Sequence, residues 1–274
     1  MSRTAVRALA CAAAAGLGGC HTPPPTTPEA VGELHKGSGV LSGYLEPAQL
    51  PDSRALLPPP PGAGSAQAAA DLDAYKSTRA LRGTPRWALA VQDAKLSFPA
   101  AASTFECALQ LPITPQGTPN LNMLLRRTLA DAAVATRGAK HQYQRQRPFA
   151  ASGEQSCTPA DEPALAKDGS YPSGHTAIGW AWALVLTQAA PQNMNALLQR
   201  GYAFGFSRVI CGVHWQSDVE AGRTIGAAVV ARLQSDETFN AQLALARQEI
   251  AQAQAQGLKP ATDCAAEAAA LAQH

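Results

Sequence analysis

At 274 residues the chain can bury a sizeable core in one domain, or in one domain plus a tail, so two domains are not required. It is alanine-heavy, poor in β-branched residues and only 5% aromatic, which favours helices over sheets. Lys and Arg number 22 against 20 Asp and Glu; once Arg3 and Arg7 are set aside with the leader the two signs balance, which leaves nucleic-acid binding without electrostatic support.

Arg3 and Arg7 precede a short apolar run of small residues, Ala8 to Gly19, and together residues 1–19 read as an export signal, too short to span a bilayer. The run ends in Leu17-Gly18-Gly19-Cys20, which resembles the bacterial lipobox, where the cysteine is lipidated and becomes the mature N-terminus. The expectation is a periplasmic or cell-envelope lipoprotein held to the membrane through Cys20 alone, with an ordinary cleaved signal as the alternative. His21 does not resemble the aspartate linked to inner-membrane retention, which points to the outer membrane.

From His21 to about Ser65 proline, glycine and small polar residues dominate, including Pro23-Pro24-Pro25 and Pro58 to Pro61. Residues 20–40 are expected to be a flexible tether and the rest an extended Pro-rich segment, with Tyr44-Leu45 and Leu50 to Leu57 docked on a core. A helical domain is expected over 41–256, followed by a tail over 257–274. Helices are predicted over Gln67 to Leu81 and Pro85 to Leu96. Another runs from Thr118-Pro119 to a stop at Gly138, which puts Lys140 just beyond a helix end. A further helix starts near His175 and buries one face made of Ile178, Ala181, Trp182, Val185, Leu186 and Ala189. Others cover Gln192 to Phe206 and Trp215 to Leu233, and Phe239, Leu243, Ala246 and Ile250 mark the last. The result is an all-α compact bundle, whose large apolar faces also fit a homo-oligomer.

Three strings carry chemistry: Lys140-x6-Arg147-Pro148, Pro172-Ser173-Gly174-His175, and Ser207-Arg208-x5-His214-x3-Asp218. A phosphoryl group in transfer spreads negative charge over its oxygens, which Lys140, Arg147 and Arg208 could hold. Ser173 and Gly174 precede the Ile178 helix, so backbone N–H groups at its positive end form an anion seat, with His175 beside it to donate a proton. His214 and Asp218, four apart, share a face if both are helical; the carboxylate would fix the tautomer and leave the other ring nitrogen to attack phosphorus. No further cluster at metal-ligand spacing accompanies them, so neither metal nor cofactor is expected. Beyond Cys20 four cysteines follow, Cys107, Cys157, Cys211 and Cys264, and export makes two disulfides the expectation, with three connectivities open.

Together the three strings resemble the complete phosphatase signature of the type 2 phosphatidic acid phosphatase superfamily, shared with vanadium haloperoxidases. The fuller strings Gly169 to Thr176 and Ser207 to Asp218 are similar to those of the bacterial class A nonspecific acid phosphatases, and the likeness runs from about Leu41 to Gln252. The resemblance implies an all-helical fold and a metal-independent hydrolysis of phosphomonoesters. In it His214 is the nucleophile, Asp218 orients it, and His175 is the acid and then the base. Lys140, Arg147, Ser173, Gly174 and Arg208 hold the phosphate. It also sets the pair Cys107 and Cys264 apart from the core pattern, which implies a Cys107 to Cys264 bridge and a Cys157 to Cys211 bridge. A vanadate-dependent haloperoxidase and a non-catalytic phosphate-binding envelope lipoprotein are the alternatives.

Overall fold

The computed structural model describes residues 23–273. The expected signal and Cys20 lie outside the described residues. Among the described residues there is no β-strand, only an isolated bridge between Glu33 and Leu41, and the fold is all-α.

Local capping starts the first two long helices. Ser65 accepts from Ala68 N to open α1 (Ala66–Thr78), and Thr84 accepts from Trp87 N to open α2 (Pro85–Gln92), where Pro85 loses no helical hydrogen bond. α2 stops short of Leu96. The Asp93 carboxylate is taken by Arg200 and Ser207, and the Ala94 carbonyl turns to His175, so the backbone cannot continue the helix.

In α3 (Pro119–Ala135) the apolar stripe Leu121, Leu124, Leu125, Leu129 and Ala132 is buried as its spacing demands. Its first free N–H groups, at Asn120 and Leu121, are capped by the distant Glu249 carboxylate at 2.9 Å each, while the Thr118 hydroxyl accepts from Thr114 N instead. The chain does not stop at Gly138. It kinks at Thr136 and continues as α4 (Arg137–Tyr143), so Lys140 sits inside a short helix rather than past a helix end. The docked N-terminal segment is the cause: Ser53 Oγ accepts from Ala139 N at 3.0 Å and so satisfies one of the first free donors of α4.

α5 (Gly174–Ala189) is the central element, packed against α3, α6 (Met194–Ile210) and α7 (Gln216–Leu233). The expected face is buried, but so are Ala177, Gly179 and Ala183, because this helix is apolar nearly all round. Trp182 donates its ring N–H to Leu125 O at 2.8 Å, which ties α5 to α3. α7 comes so close that a Cβ on Gly222 would lie 2.5 Å from Ser173 O. Any side chain there would push the helices apart, so Gly222 sets the distance between the start of α5 and the start of α7. The same approach lets Ser173 N donate to Asp218 O at 2.9 Å.

α8 (Glu237–Ala255) buries Phe239, Leu243, Ala246 and Ile250 and packs on α3. Residues 257–274, expected as a tail, include α9 (Cys264–Leu271), which packs on α2 and is bonded through Cys264 to Cys107. Cys157 is bonded to Cys211, so both bridges follow the pairing that the resemblance implied. Part of the expected tether is also structured: Thr27 caps the single turn Pro28–Val31, and Leu34 N donates to Val40 O at 2.8 Å. Leu45 and Leu57 reach the main core, and Tyr171 Oη donates to Pro58 O at 2.9 Å, so the Pro-rich segment is strapped across the bundle.

Candidate active site

The fold brings the three strings to one pocket of about 380 Å³, whose wall includes Lys140, Arg147, Asp168, Gly174, His175 and His214. α4 supplies Lys140, the connection after it Arg147, the first turn of α5 Ser173, Gly174 and His175, the last turn of α6 Arg208, and the start of α7 Asp218. A larger, mostly apolar groove of about 810 Å³ lies between α6 and α9 and contains none of these groups. Tyr171 is buried against Tyr143 and Pro58 and is not part of the pocket wall.

His214 is not on a helix. Gly212 turns the chain with φ +79°, and α7 begins only at Gln216, so the contact between positions 214 and 218 is made across the helix entrance rather than along one turn. Asp218 is fixed there because its Oδ2 accepts from Trp215 N at 2.8 Å. His214 Nδ1 lies 3.4 Å from that same Oδ2, with the backbone of Ser170 as a second acceptor near the ring. His214 Nε2 lies 3.1 Å from Arg147 Nη1. A guanidinium N–H can only donate, so Nε2 must carry the lone pair and Nδ1 the proton. Burial, and after it Arg147, Lys140 and Arg208, push the His214 pKa well below 6.5, which favours the neutral ring.

The three cations differ in how far their donors are used. Arg147 gives Nε to Leu165 O at 2.8 Å and Asp168 O at 3.1 Å, Nη1 to Val213 O at 3.1 Å, and Nη2 to Asp168 Oδ2 at 3.3 Å and Gly169 O at 3.4 Å. Lys140 Nζ donates to Asp168 Oδ2 at 3.1 Å and to Gly169 O. Its pKa is pulled down to about 8, by burial first and by Arg147 second, against the pull of Asp168. Arg208 is the unsatisfied one: it is 2% exposed, and among the described residues neither Nε nor Nη1 has a partner. Burial and the neighbouring Arg147 lower its pKa to about 10, so it stays cationic over the physiological range. A buried guanidinium with free donors is costly unless an anion completes it.

Ser173 caps α5, its Oγ accepting from Thr176 N at 3.3 Å and from Thr176 Oγ1 at 2.9 Å, which leaves its own proton free to donate. A Cβ on Gly174 would sit 3.7 Å from Thr136 Oγ1 and 3.9 Å from Lys140 Cε, ordinary contacts, so the protein itself has room there. His175 stacks on Phe204 at 6.5 Å and points Nε2 at Ala94 O, 3.0 Å away. A carbonyl only accepts, so Nε2 carries the proton and Nδ1 is the nitrogen left for proton transfer. Burial, then Arg208, hold the His175 pKa well below 6.5. The charge of an anion beside Arg208 would raise it.

Comparison with known proteins places this geometry. A PAP2 superfamily model matches residues 122–238, which contain all three strings. A "Non-specific acid phosphatase" of Providencia stuartii is 48% identical over 209 residues, 76% of this chain and 84% of the relative. The chain belongs to the class A nonspecific acid phosphatases of the PAP2 superfamily. A "Non-specific acid phosphatase" of Salmonella typhi is 42% identical over 217 residues, 79% of this chain and 87% of the relative, and an "Acid phosphatase" of Zymomonas mobilis is 40% identical over 209 residues, covering 76% and 79%.

Several residues that brace this acid phosphatase pocket were not visible in the strings. Arg145 Nη1 donates to Asp218 Oδ1 at 2.6 Å and to Ser217 Oγ at 2.8 Å, and Nη2 donates to Asp71 Oδ2 at 2.7 Å. Asp71 in turn accepts from Ser217 N at 2.8 Å. Burial nevertheless raises the Asp218 pKa against the pull of Arg145. On the other side, Asp93 accepts from Ser207 Oγ at 2.6 Å and from Arg200 Nη1 at 3.2 Å, and Arg200 also reaches Glu267 on α9 at 3.3 Å. The only signal for Arg145 was its place two residues before Arg147, inside the first string. Among the described residues, no group of three His, Cys, Asp or Glu side chains lies at metal-holding separation.

Proposed function

We propose that this protein is an acid phosphatase that hydrolyses phosphomonoesters of broad specificity in two steps, through a phosphohistidine on His214. In the first step the His214 Nε2 lone pair forms the P–N bond as the ester P–O bond breaks. His175 passes a proton from Nδ1 to the leaving oxygen. In the second step His175 takes a proton from water, whose oxygen forms a P–O bond while the P–N bond breaks and frees inorganic phosphate. Asp218 stabilises the His214 ring as positive charge develops on it. Lys140, Arg147, Arg208 and the Ser173 and Gly174 donors take up the charge on the phosphoryl oxygens, which is why the reading requires no metal.

The observation that carries this reading is the lone pair of His214 Nε2, fixed by the Arg147 contact at 3.1 Å, beside a buried Arg208 with two unpaired donor atoms. The His175 pKa, held below 6.5, supports an acid working range, since protonating that ring needs both the bound anion and a supply of protons. Broad specificity is supported by the apolar share of the wall, Leu96, Ala133, Leu165 and Ile178, which offers contact area without fixing one leaving group; Thr136, Arg137 and His141 are the wall's remaining polar members. Export and anchoring through Cys20 complete the proposal: the balanced mature charge and the two disulfides suit an oxidising envelope compartment.

The test is turnover of an aryl phosphate by purified protein at acid pH, with excess EDTA and with added vanadate as inhibitor. Turnover that survives EDTA and is blocked by vanadate supports the reading. Strict dependence on a divalent cation contradicts it, and so does bromide oxidation with vanadate in the absence of phosphatase activity. For the anchor, Cys20→Ala should move the protein from the membrane fraction to the soluble envelope fraction.

A further inference from the structure

Among the described residues Asp168 is the one carboxylate in the pocket wall, an unusual position in a site read as holding an anion. A single oxygen, Oδ2, bridges two of the three cations, at 3.1 Å from Lys140 Nζ and 3.3 Å from Arg147 Nη2. The side chain is 49% exposed, whereas its two partners are almost fully buried. Every N–H-bearing atom of Arg147 is engaged within the protein, whereas Arg208 has two buried ones without a partner among the described residues. An entering anion therefore meets Arg208 ready and must take Lys140 and Arg147 from Asp168.

We infer that Asp168 is a built-in counter-ion that competes with phosphate for Lys140 and Arg147, and that it weakens the grip of the pocket on inorganic phosphate. This rests on the reading of the pocket as a phosphate site. The Asp168 and Gly169 carbonyls on Arg147 are backbone contacts of a loop wrapped around the guanidinium, and they can stay when an anion binds. The Asp168 carboxylate is the half-exposed contact and the one that carries charge, so it is the one that repels the ligand and swings out. Its consequence is kinetic economy: an exported hydrolase with broad substrates must release the same product every cycle, and a resident carboxylate waiting to reclaim the two cations assists that release. The price is a weaker Michaelis complex.

The experiment is calorimetric titration of inorganic phosphate into the wild type, Asp168→Asn and Asp168→Ser at one fixed acid pH, with the inhibition constant of phosphate measured alongside against an aryl phosphate. Removal of a half-exposed like charge beside the ligand is expected to tighten phosphate binding about five-fold, corresponding to about 1 kcal/mol. A role for Asp168 in merely shaping the loop predicts the opposite sign, since a disordered clamp binds phosphate less well. Unchanged or weaker phosphate affinity in both variants overturns the inference, as does an absence of phosphate binding to wild type and variants alike. Calorimetry needs no turnover, so a protein that binds phosphate more tightly without Asp168 yet hydrolyses nothing would uphold this inference and sink the functional reading.

Discussion

His214 Nε2 lies 3.1 Å from Arg147 Nη1, and because arginine has no acceptor the contact dictates the histidine tautomer. The nitrogen that faces the pocket carries a lone pair, and the proton is on the side of Asp218. Most of the chemistry proposed here follows from that one assignment, and the residues around it make distinct predictions.

Arg145 closes the charge on two buried carboxylates, Asp71 and Asp218, which are 3% and 0% exposed. Arg145→Ala leaves Asp218 buried without its main partner, so stability should fall by about 3 kcal/mol, the scale for breaking a buried ion pair from one side. Arg145→Lys should not restore it, since one ammonium cannot span both carboxylates as the planar fork does. Denaturant unfolding of the two variants checks this. In contrast, Asp218→Asn keeps the shape and should leave most of the stability, while kcat falls by roughly 10²–10⁴ through loss of tautomer control and charge support.

Lys140 sets an alkaline limit. Its pKa, drawn down to about 8 by burial and by Arg147, keeps the ammonium charged in acid and lets it go neutral as pH rises through that value. KM for an aryl phosphate should accordingly rise above about that pH. Lys140→Arg stays charged. Its limb should move to higher pH even where its rate is lower, and a limb that does not move assigns the titration to another group.

The two histidines should make the fold acid-sensitive. Both have folded pKa values below the ordinary 6.5, so below that pH the unfolded chain takes up protons that the native state refuses. Stability tied to them is complete above about 6.5 and is lost as pH falls toward the depressed folded values. Asp131, raised to about 6 by burial, has the opposite sign, its contribution being present at low pH and lost as pH rises through 6. The His175 share is therefore read as a difference: the stability gap between wild type and His175→Asn should narrow by up to about 1.4 kcal/mol per pH unit below that threshold. A gap independent of pH contradicts the shifted pKa.

What the sequence made legible and what it hid divide along a physical line. Lys140, Arg147, Ser173, His175, Arg208, His214 and Asp218 were readable because their residue types stand in the order and spacing of a recurrent signature. All of them converge on one pocket or its backing. The long helices were readable from apolar spacing and caps, as α5 and α8 show. Arg145 and Asp71 meet across 74 positions and carry no periodic signal, so each looked like any solvated charge. Asp168 was hidden for the same reason. The way His214 meets Asp218 was open in the sequence because four-residue spacing is ambiguous: a carboxylate at the third helical position can fold back over the entrance and satisfy Trp215 N as readily as it can sit one turn along. α9 was missed because its 8 residues bury only Ala270, and what holds it is the Cys107 bridge and the Arg200–Glu267 pair rather than an amphipathic stripe.

The central claim is that His214 forms a bond to phosphorus. Rapid quench of wild type with a phosphate ester labelled on phosphorus, followed by peptide mapping under alkaline conditions that preserve phosphohistidine, tests it directly. The account predicts an acid-labile label on the peptide containing His214, formed within the first turnover and absent from His214→Ala, which should also lose nearly all activity. Label on another residue, or a His214→Ala enzyme that keeps its turnover, would contradict it.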